Sequence, residues 1–236
     1  MQLVIPQILP AADIEQVLAL LRHAPTGEGW IGGKATTGQQ SGQVKNNQQM
    51  PEQGRITAQA REIVVAAISR HPSFMTAALP RRLYPPNFNR YSGGSNAFGS
   101  HIDNAMRSIP GLPGFLRTDL SCTLFLSDPA SYDGGELVIS SPGGELVYKM
   151  PAGDMLLYPA TSVHRVNPVT RGERIASFFW VESMVRSEEQ RQLLYELDMT
   201  IMAQRTRELQ SGGKESEESV RLTGTYHNLL RMWAQP

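Results

Sequence analysis

The stretch that most constrains the fold is a run of alternating residues between Leu116 and Leu126. Every second residue of it is apolar with a single exception, whereas the intervening residues from Arg117 to Thr123 are polar. Because successive side chains of a strand point to opposite faces, this pattern predicts a half-buried strand. Shorter strand patterns, separated by turn residues, continue to about residue 183. Several short strands at close spacing predict an antiparallel sandwich or barrel.

Helical patterns precede this β region. Apolar residues recur at helical spacing in residues 14–21, behind an N-cap predicted at or just before Asp13, and again in residues 55–70. The segment between them is rich in Gly, Gln and Asn, which predicts mostly loop with a short strand at Trp30 and Ile31.

Helical patterns also follow the β region, beginning with a capping box at residues 187–190. A polar linker then separates two predicted helices, of which the second ends near Trp233. We therefore predict an α+β fold with N-terminal helices and loop in residues 1–74, a β core in residues 75–183 and a helical segment in residues 184–236. The apolar stripes of the last helices must bury against the core or against a second subunit of a homodimer.

The composition of the chain limits the classes of partner and the cellular compartment that can be expected. The chain of 236 residues has 22 basic and 22 acidic residues, which favours neither a nucleic acid nor a membrane surface as its main partner. No apolar run is long enough to cross a bilayer, and the N-terminal sequence lacks the basic region of a signal peptide. The single cysteine, Cys122, falls on the apolar phase of its strand and fits a reducing compartment. We expect a soluble cytoplasmic protein.

Two ligand-type residues lie close together after a glycine-rich stretch. His101 and Asp103 are separated by one residue, so on a strand both side chains would point to the same face. That arrangement suits two ligands of one metal. The preceding segment 92–100 is predicted to be a flexible loop that leaves the site open to a substrate, and with segment 24–50 it is predicted to form the rim of the entrance.

A third ligand is predicted at His164. His23, His71 and His227 lie in or at the ends of helical patterns, where a structural role explains them. Together with His101 and Asp103, His164 would complete the two-histidine, one-carboxylate triad of non-haem Fe(II) oxygenases, which leaves open positions on the metal.

An arginine follows ten residues after the third predicted ligand. A hairpin is predicted to place His164 and Arg174 on adjacent antiparallel strands, both facing inward. A guanidinium there would bind a carboxylate with two hydrogen bonds. Arg165 would point to the opposite face and Arg171 would lie in the turn, so neither should reach the site. Asp119, on the polar phase of its strand, is predicted to be solvated.

The arrangement "NRYSGGSNAFGSHID … HRVNPVTRGERIASFFW" resembles the 2-oxoglutarate and Fe(II)-dependent dioxygenase superfamily, and within its prolyl 4-hydroxylase-like branch the PKHD-type hydroxylases. The resemblance covers nearly the whole chain. It implies a double-stranded β-helix (jelly roll), iron ligands at His101, Asp103 and His164, and binding of the distal carboxylate of 2-oxoglutarate by Arg174. It also implies that Tyr91 contacts this co-substrate.

The same resemblance implies that O2 and 2-oxoglutarate are consumed, that succinate is released and that a C–H bond is hydroxylated, with ascorbate as a reductant. It suggests a peptidyl prolyl or lysyl substrate, or a siderophore-like molecule linked to iron uptake. From the residues alone, a cupin-type isomerase, a metal-dependent binding module without redox turnover and a metal-free structural protein remain open.

Overall fold

The computed structural model describes residues 1–36 and 39–235, and it combines helices with antiparallel sheets. Within these residues the helices are α1 (Ala11–Arg22), α2 (Gln39–Val44), α3 (Arg55–Ile68), α4 (Pro72–Ala78), α5 (Glu188–Gln210) and α6 (Glu217–Trp233). Short 3-10 turns are present at Gly33–Thr36 and Pro129–Ser131. The strands are β1 (Leu3–Ile5), β2 (Ile31–Gly32), β3 (Lys45–Asn46), β4 (Gln48–Gln49), β5 (Pro80–Leu83), β6 (Asn87–Tyr91), β7 (Ala97–His101), β8 (Met106–Ser108), β9 (Phe115–Arg117), β10 (Leu120–Phe125), β11 (Asp133–Gly134), β12 (Leu137–Ser141), β13 (Gly144–Tyr148), β14 (Met155–Pro159), β15 (His164–Val166), β16 (Val169–Arg171) and β17 (Arg174–Ser183).

Two larger sheets form the centre of the molecule. The major sheet has the strand order β1-β14-β10-β17-β6-β4-β2, with β5 also paired to β17. The minor sheet has the order β13-β12-β15-β7-β3. A cluster of buried side chains, including Phe125 and Tyr158 from the major sheet and Ile139 and Val166 from the minor one, joins the two sheets. The sheets therefore face each other across a shared interior.

The outer face of the major sheet packs on the N-terminal helices. Leu120, Cys122 and Leu124 of β10 belong to one buried cluster with Val17 of α1 and Val64 of α3. Both helices thus bury the apolar stripes that their sequence spacing predicted, and Cys122 is confirmed as a core residue. The helices cover one face of the sheet and leave the other face for the interior between the sheets.

The alternating run of residues from Leu116 to Leu126 is not the half-buried strand that was predicted. It is divided between β9 and β10, and every residue of β10 is buried. The polar side chains of β10 do not face solvent, because the minor sheet covers that face of the strand. Ser121 and Thr123 instead line an internal cavity. The prediction that Asp119 is solvated is also wrong. Its side chain is 7% exposed and pairs with Arg117.

The N-terminal segment contains more regular structure than its composition predicted. Besides β2, the segment 24–50 contains α2, β3 and β4, while Thr37 and Gly38 lie outside the described residues. Helix α1 begins at Ala11 after Pro10, without the predicted side-chain cap. Strands β1, β2 and β4 join the major sheet and β3 joins the minor one, so the N-terminal segment contributes to both.

The C-terminal helices agree with their sequence signals. The Ser187 hydroxyl accepts a hydrogen bond from the Gln190 amide, as the capping box predicted. Residues of α5 and α6, including Leu194 and Trp233, pack around Leu79 next to α4, so these helices bury part of their apolar surface on the rest of the chain. None of the described helices has the length and apolar character that crossing a membrane requires.

Candidate metal centre

Three side chains that can ligate a metal converge in the cavity between the sheets. One ligand atom from each of His101, Asp103 and His164 lies within 4.8 Å of the others. His101 ends β7, His164 begins β15, and the two residues are paired across this antiparallel ladder. The prediction that His101 and Asp103 share a strand is wrong, because the backbone leaves the ladder after His101. Asp103 reaches the same point from the irregular segment that follows.

Backbone and side-chain contacts orient the three groups. The Nδ1 atoms of His101 and His164 lie 2.8 Å and 3.0 Å from the carbonyl oxygens of Gly99 and Ser162. A proton on each Nδ1 would be donated to that carbonyl, which leaves each Nε2 lone pair available to a metal. The Ser121 hydroxyl donates to Asp103 Oδ2 at 2.6 Å. Each of the three groups is thus held by a contact outside the set.

The environment of His101 disfavours its protonated form. Burial, followed by the charge of His164 when protonated, lowers the pKa of His101 to about 4. The ring also stacks on Phe98, with 3.6 Å between the ring centroids. A histidine must be neutral to ligate a metal, so this environment is suited to metal binding near neutral pH.

A buried arginine lies in the same cavity without a carboxylate partner among the described residues. Arg174 is 1% exposed, and none of its three guanidinium nitrogens forms a hydrogen bond with a described residue. Its guanidinium carbon lies 5.3 Å from the Tyr91 ring centroid and 5.2 Å from that of Phe125. An unpaired buried cation is costly, so this position is suited to an anionic ligand that supplies the missing acceptors.

Tyr91 is the neighbour of Arg174 in the ladder between β6 and β17. Its side chain is 1% exposed, and burial raises the pKa of Tyr91 although the positive charge of Arg174 acts in the opposite direction. The phenol therefore stays protonated near neutral pH and can donate a hydrogen bond into the cavity. The two predicted co-substrate residues are adjacent in the structure.

The prediction that a hairpin brings His164 and Arg174 together is wrong. They do not lie on adjacent strands, because β16 intervenes and pairs with β11, and β17 then joins the other sheet. His164 belongs to the minor sheet and Arg174 to the major one, and both line the cavity from opposite sides. The cavity thus contains both residues although the predicted hairpin does not exist.

Arg165 and Arg171 do not line the cavity, as predicted. Arg165 pairs with Glu145 at 2.5 Å and Arg171 pairs with Asp133 at 2.7 Å. Arg171 lies in β16 and not in a turn, but it is exposed and does not line the cavity. Both of these arginines already have a carboxylate partner, in contrast to Arg174.

Sequence reasoning missed several polar residues of the cavity. Ser121 and Thr123 contribute the polar phase of β10, and Asn47 and Asn89 contribute buried amides. Both polar atoms of the Asn47 side chain and the Asn89 carbonyl oxygen lack partners among the described residues. The sequence signal for Ser121 and Thr123 was the alternation of apolar and polar residues in β10. A polar face of a strand is exposed either to solvent or to a polar cavity.

Two basic residues missed by the sequence analysis also line the cavity, Lys45 and Arg107. Lys45 is 3% exposed, and burial, followed by the charge of Arg107, lowers the pKa of Lys45 to about 7. The Arg107 guanidinium carbon lies 3.9 Å from the Trp180 ring centroid. Arg107 therefore adds positive charge to a cavity that already contains Arg174, and Lys45 adds to it when its amine is protonated.

The residues present fit a divalent metal and a carboxylate ligand. Two imidazole nitrogens and one carboxylate on one side of a metal form the donor set of non-haem Fe(II) oxygenases, and they leave positions for other ligands. The buried Arg174 offers the complementary fork for a carboxylate at some distance from the metal. Among the described residues, this is the group of three that could hold a metal ion, and His23, His71 and His227 lie outside it.

Comparisons with known proteins point in the same direction. Residues 86–182 match the 2OG-Fe(II) oxygenase superfamily, and residues 188–235 match the PKHD-type hydroxylase C-terminal domain. A PKHD-type hydroxylase of Saccharophagus degradans is 49% identical over 235 residues, which cover 100% of both chains.

Solved structures share the fold at low sequence identity. A Pseudomonas putida prolyl-4-hydroxylase is 20% identical with a TM-score of 0.51, covering 77% of this chain and 92% of that one. A Trichoplax adhaerens prolyl hydroxylase, solved with a peptide fragment of hypoxia inducible factor, is 17% identical with a TM-score of 0.54. This match covers 82% of this chain and 86% of the other.

Proposed function

This chain belongs to the PKHD-type hydroxylases of the 2-oxoglutarate and Fe(II)-dependent oxygenase superfamily, and from that membership we propose which of its residues hold the cofactors. The protein is a 2-oxoglutarate-dependent hydroxylase whose cofactors are Fe(II) and 2-oxoglutarate. We assign the iron to His101, Asp103 and His164. The observation that carries this assignment is their convergence to within 4.8 Å in a cavity that also contains the unpaired Arg174.

We further propose that Arg174 and Tyr91 bind 2-oxoglutarate. Arg174 would form a bidentate pair with the distal carboxylate, which would replace the hydrogen bonds that the guanidinium lacks within the protein. The Tyr91 hydroxyl would donate to the same co-substrate. The major and minor sheets would then be the two halves of a double-stranded β-helix that encloses the co-substrate.

When bound, the iron supplies the oxidative chemistry, in which O2, 2-oxoglutarate and a C–H bond give succinate, CO2 and a hydroxylated product. The chain's own residues orient the reactants and limit access of water. Ser121 fixes the Asp103 carboxylate, and the carbonyls of Gly99 and Ser162 fix the two imidazoles. Ascorbate is proposed as an external reductant that restores Fe(II).

For the substrate we propose a peptidyl side chain, prolyl or lysyl, and we place its entrance at the rims formed by segments 24–50 and 92–100. The prediction that all of segment 92–100 is a flexible loop is wrong, because its residues from Ala97 onward belong to β7. The two structural neighbours described above are prolyl hydroxylases, and one of them was solved with a peptide. A siderophore-like small molecule, with a role in iron uptake, is the second candidate.

The assignment is tested by metal binding and succinate release. His164→Ala should lose Fe(II) or Mn(II) binding at micromolar metal and should release no succinate, because two ligands do not hold the metal face. His227→Ala, whose histidine lies on α6 outside the metal set, is the matched control and should behave as wild type. Metal binding by His164→Ala equal to that of the control would refute the triad.

Succinate release also separates this function from a cupin-type isomerase or a binding module without redox turnover, since neither consumes 2-oxoglutarate. The iron-loaded enzyme should be assayed with a library of proline- and lysine-containing peptides and with a cell metabolite extract. A gain of one oxygen coupled to succinate in the peptide pool supports the peptidyl substrate. The same gain in the metabolite pool alone contradicts the peptidyl substrate and favours the small molecule.

A further inference from the structure

Arg107 occupies an unusual position at the cavity. It lies on β8, outside the two main sheets, and its side chain reaches the cavity lining. The guanidinium carbon lies 3.9 Å from the Trp180 ring centroid and 4.9 Å from that of Tyr84. Stacking on two aromatic rings restricts the plane of the guanidinium. The aromatic contacts therefore hold the charge in a defined orientation.

The N–H edge of this guanidinium has no acidic partner. Among the described residues, no carboxylate lies within ion-pair distance of Arg107, and its buried Nε atom donates no hydrogen bond. Glu52, which also lines the cavity, instead accepts a hydrogen bond from the Tyr84 hydroxyl. The rings of Trp180 and Tyr84 thus lie over the faces of the Arg107 guanidinium, and its donor edge contacts the Tyr84 hydroxyl but no carboxylate among the described residues.

Arg90 is a second arginine that stacks on an aromatic ring, and it can be compared with Arg107. Its guanidinium carbon lies 4.9 Å from the Trp30 ring centroid, which is comparable to the Arg107 contacts. Unlike Arg107, it donates to Gln48 at 2.8 Å and pairs with Glu173 at 3.4 Å. The two arginines therefore differ in whether a carboxylate lies at their donors and not in their aromatic stacking.

Arg107 is placed to meet a ligand other than 2-oxoglutarate. Its stacking partner Trp180 lies six residues beyond Arg174 on β17, a separation of about 20 Å along a strand. Trp180 is paired across the ladder with Ser121, which holds Asp103, so Arg107 lies on the side of the proposed iron that is remote from Arg174. A carboxylate bound by Arg174 is therefore out of its reach.

We propose that Arg107 binds a carboxylate of the substrate that is hydroxylated, and so selects an acidic substrate. This inference rests on the proposed function, because it takes the cavity beside His101, Asp103 and His164 as the place where the substrate binds. Lys45 also lines this cavity and adds positive charge when its amine is protonated. The carboxylate belongs either to a free small acid or to an acidic residue of a peptide.

Binding of matched probes tests the proposal without turnover. The protein loaded with Mn(II) and saturating 2-oxoglutarate is titrated by calorimetry with N-acetylproline and N-acetylprolinamide, which differ in one charge. A second pair, acetyl-Pro-Asp-amide and acetyl-Pro-Asn-amide, represents an acidic peptide. In at least one pair the acid should bind about tenfold more tightly than its neutral counterpart, as one charge-assisted hydrogen-bonded contact provides.

Three variants locate the source of that preference. Arg107→Gln should abolish it, and Arg107→Lys, which retains the charge without the planar fork, should retain a smaller preference. Arg90→Gln is the matched control for loss of a stacked arginine and should keep the full preference. Circular dichroism and thermal unfolding check the fold of each variant, and if Arg107→Gln does not fold, Arg107→Lys decides.

Several results would overturn the proposal. These are equal or unmeasurable binding of acid and neutral probe in both pairs, an unchanged preference in Arg107→Gln, or competition of the acid probe with 2-oxoglutarate. Preference in the first pair alone identifies a free acid, and preference in the second identifies an acidic peptide. Succinate release by the iron-loaded wild type is scored separately, so failure of the oxygenase function is distinguishable from failure of anion binding.

Discussion

Arg174 and Arg191 are both almost fully buried, but only one of them is paired. Arg191 of α5 is 3% exposed and donates from one nitrogen to the carbonyl oxygens of Val185 and Arg186, each at 2.8 Å. Arg174 is 1% exposed, and its nitrogens have no acceptor among the described residues. The first arginine ties α5 to the segment that precedes it, whereas the second has its donors free for a ligand.

Glu182 is a buried carboxylate outside the cavity that is also paired. Glu182 is 2% exposed and accepts hydrogen bonds from Arg81 at 3.0 Å and from Arg82 at 2.9 Å. Around the cavity, by contrast, polar atoms of Asn47, Asn89 and Arg174 lack hydrogen-bond partners among the described residues. Since unpaired buried polar groups cost free energy, their concentration in one cavity indicates a site completed by ligands.

The largest effect is expected at Arg174. Arg174→Met should weaken 2-oxoglutarate binding by about 2–5 kcal/mol, because a buried charge-assisted pair is lost. The free energy of unfolding of the ligand-free protein should stay the same or rise, because an unpaired buried charge is replaced by an apolar chain. Calorimetry with 2-oxoglutarate and urea denaturation measure the two quantities.

Arg171→Met is the matched control, since Arg171 is an exposed arginine paired with Asp133. It should leave 2-oxoglutarate binding close to that of wild type. Equal losses of affinity in the two variants would show that the wrong arginine has been assigned, and strong destabilisation of the ligand-free Arg174→Met protein would show that Arg174 is structural.

Arg191→Met should produce the opposite pattern at a somewhat smaller magnitude. Two hydrogen bonds from a charged donor to buried carbonyls are lost, so the free energy of unfolding should fall by about 3 kcal/mol. The 2-oxoglutarate affinity of the folded protein should not change, because Arg191 does not line the cavity. Urea denaturation and calorimetry measure both, and an affinity loss in Arg191→Met without loss of stability would contradict the distinction.

The smallest effect is expected at Ser121. Ser121→Ala removes the hydroxyl that donates to Asp103 and should weaken Mn(II) binding about tenfold, because contacts that orient a metal ligand typically have effects of this size. Ser177→Ala is the control, because Ser177 is buried in the same sheet and its hydroxyl has no partner among the described residues. A metal titration should separate the two variants, and equal affinities would remove Ser121 from the metal site.

Local patterns in the sequence were sufficient for many elements. The helical spacing in residues 55–70 predicted α3, and the capping box predicted the start of α5 at Glu188. The prediction that the apolar side chains of β10 face a core is confirmed. Such features depend on residues close together in the chain, and therefore they can be recognised without knowing what packs against them.

Long-range pairing could not be recognised in this way. The separation of ten residues between His164 and Arg174 predicted a hairpin, but the intervening β16 pairs with β11 and the chain crosses to the other sheet. The polar phase of β10 was predicted to face solvent, because local alternation does not distinguish solvent from a cavity. Both predictions required knowledge of which distant strand covers which face.

By itself the sequence determined which chemical groups are available: a histidine and an aspartate one residue apart, a later histidine and an arginine ten residues after it. The tertiary structure alone decided that Arg174 is unpaired and Arg191 paired, that Ser121 holds Asp103, and that Arg107 stacks on Trp180 with no carboxylate partner among the described residues. The reason is physical, since the type of a side chain is a property of its own residue. Its burial and its hydrogen-bond partners depend on residues that only folding brings near it.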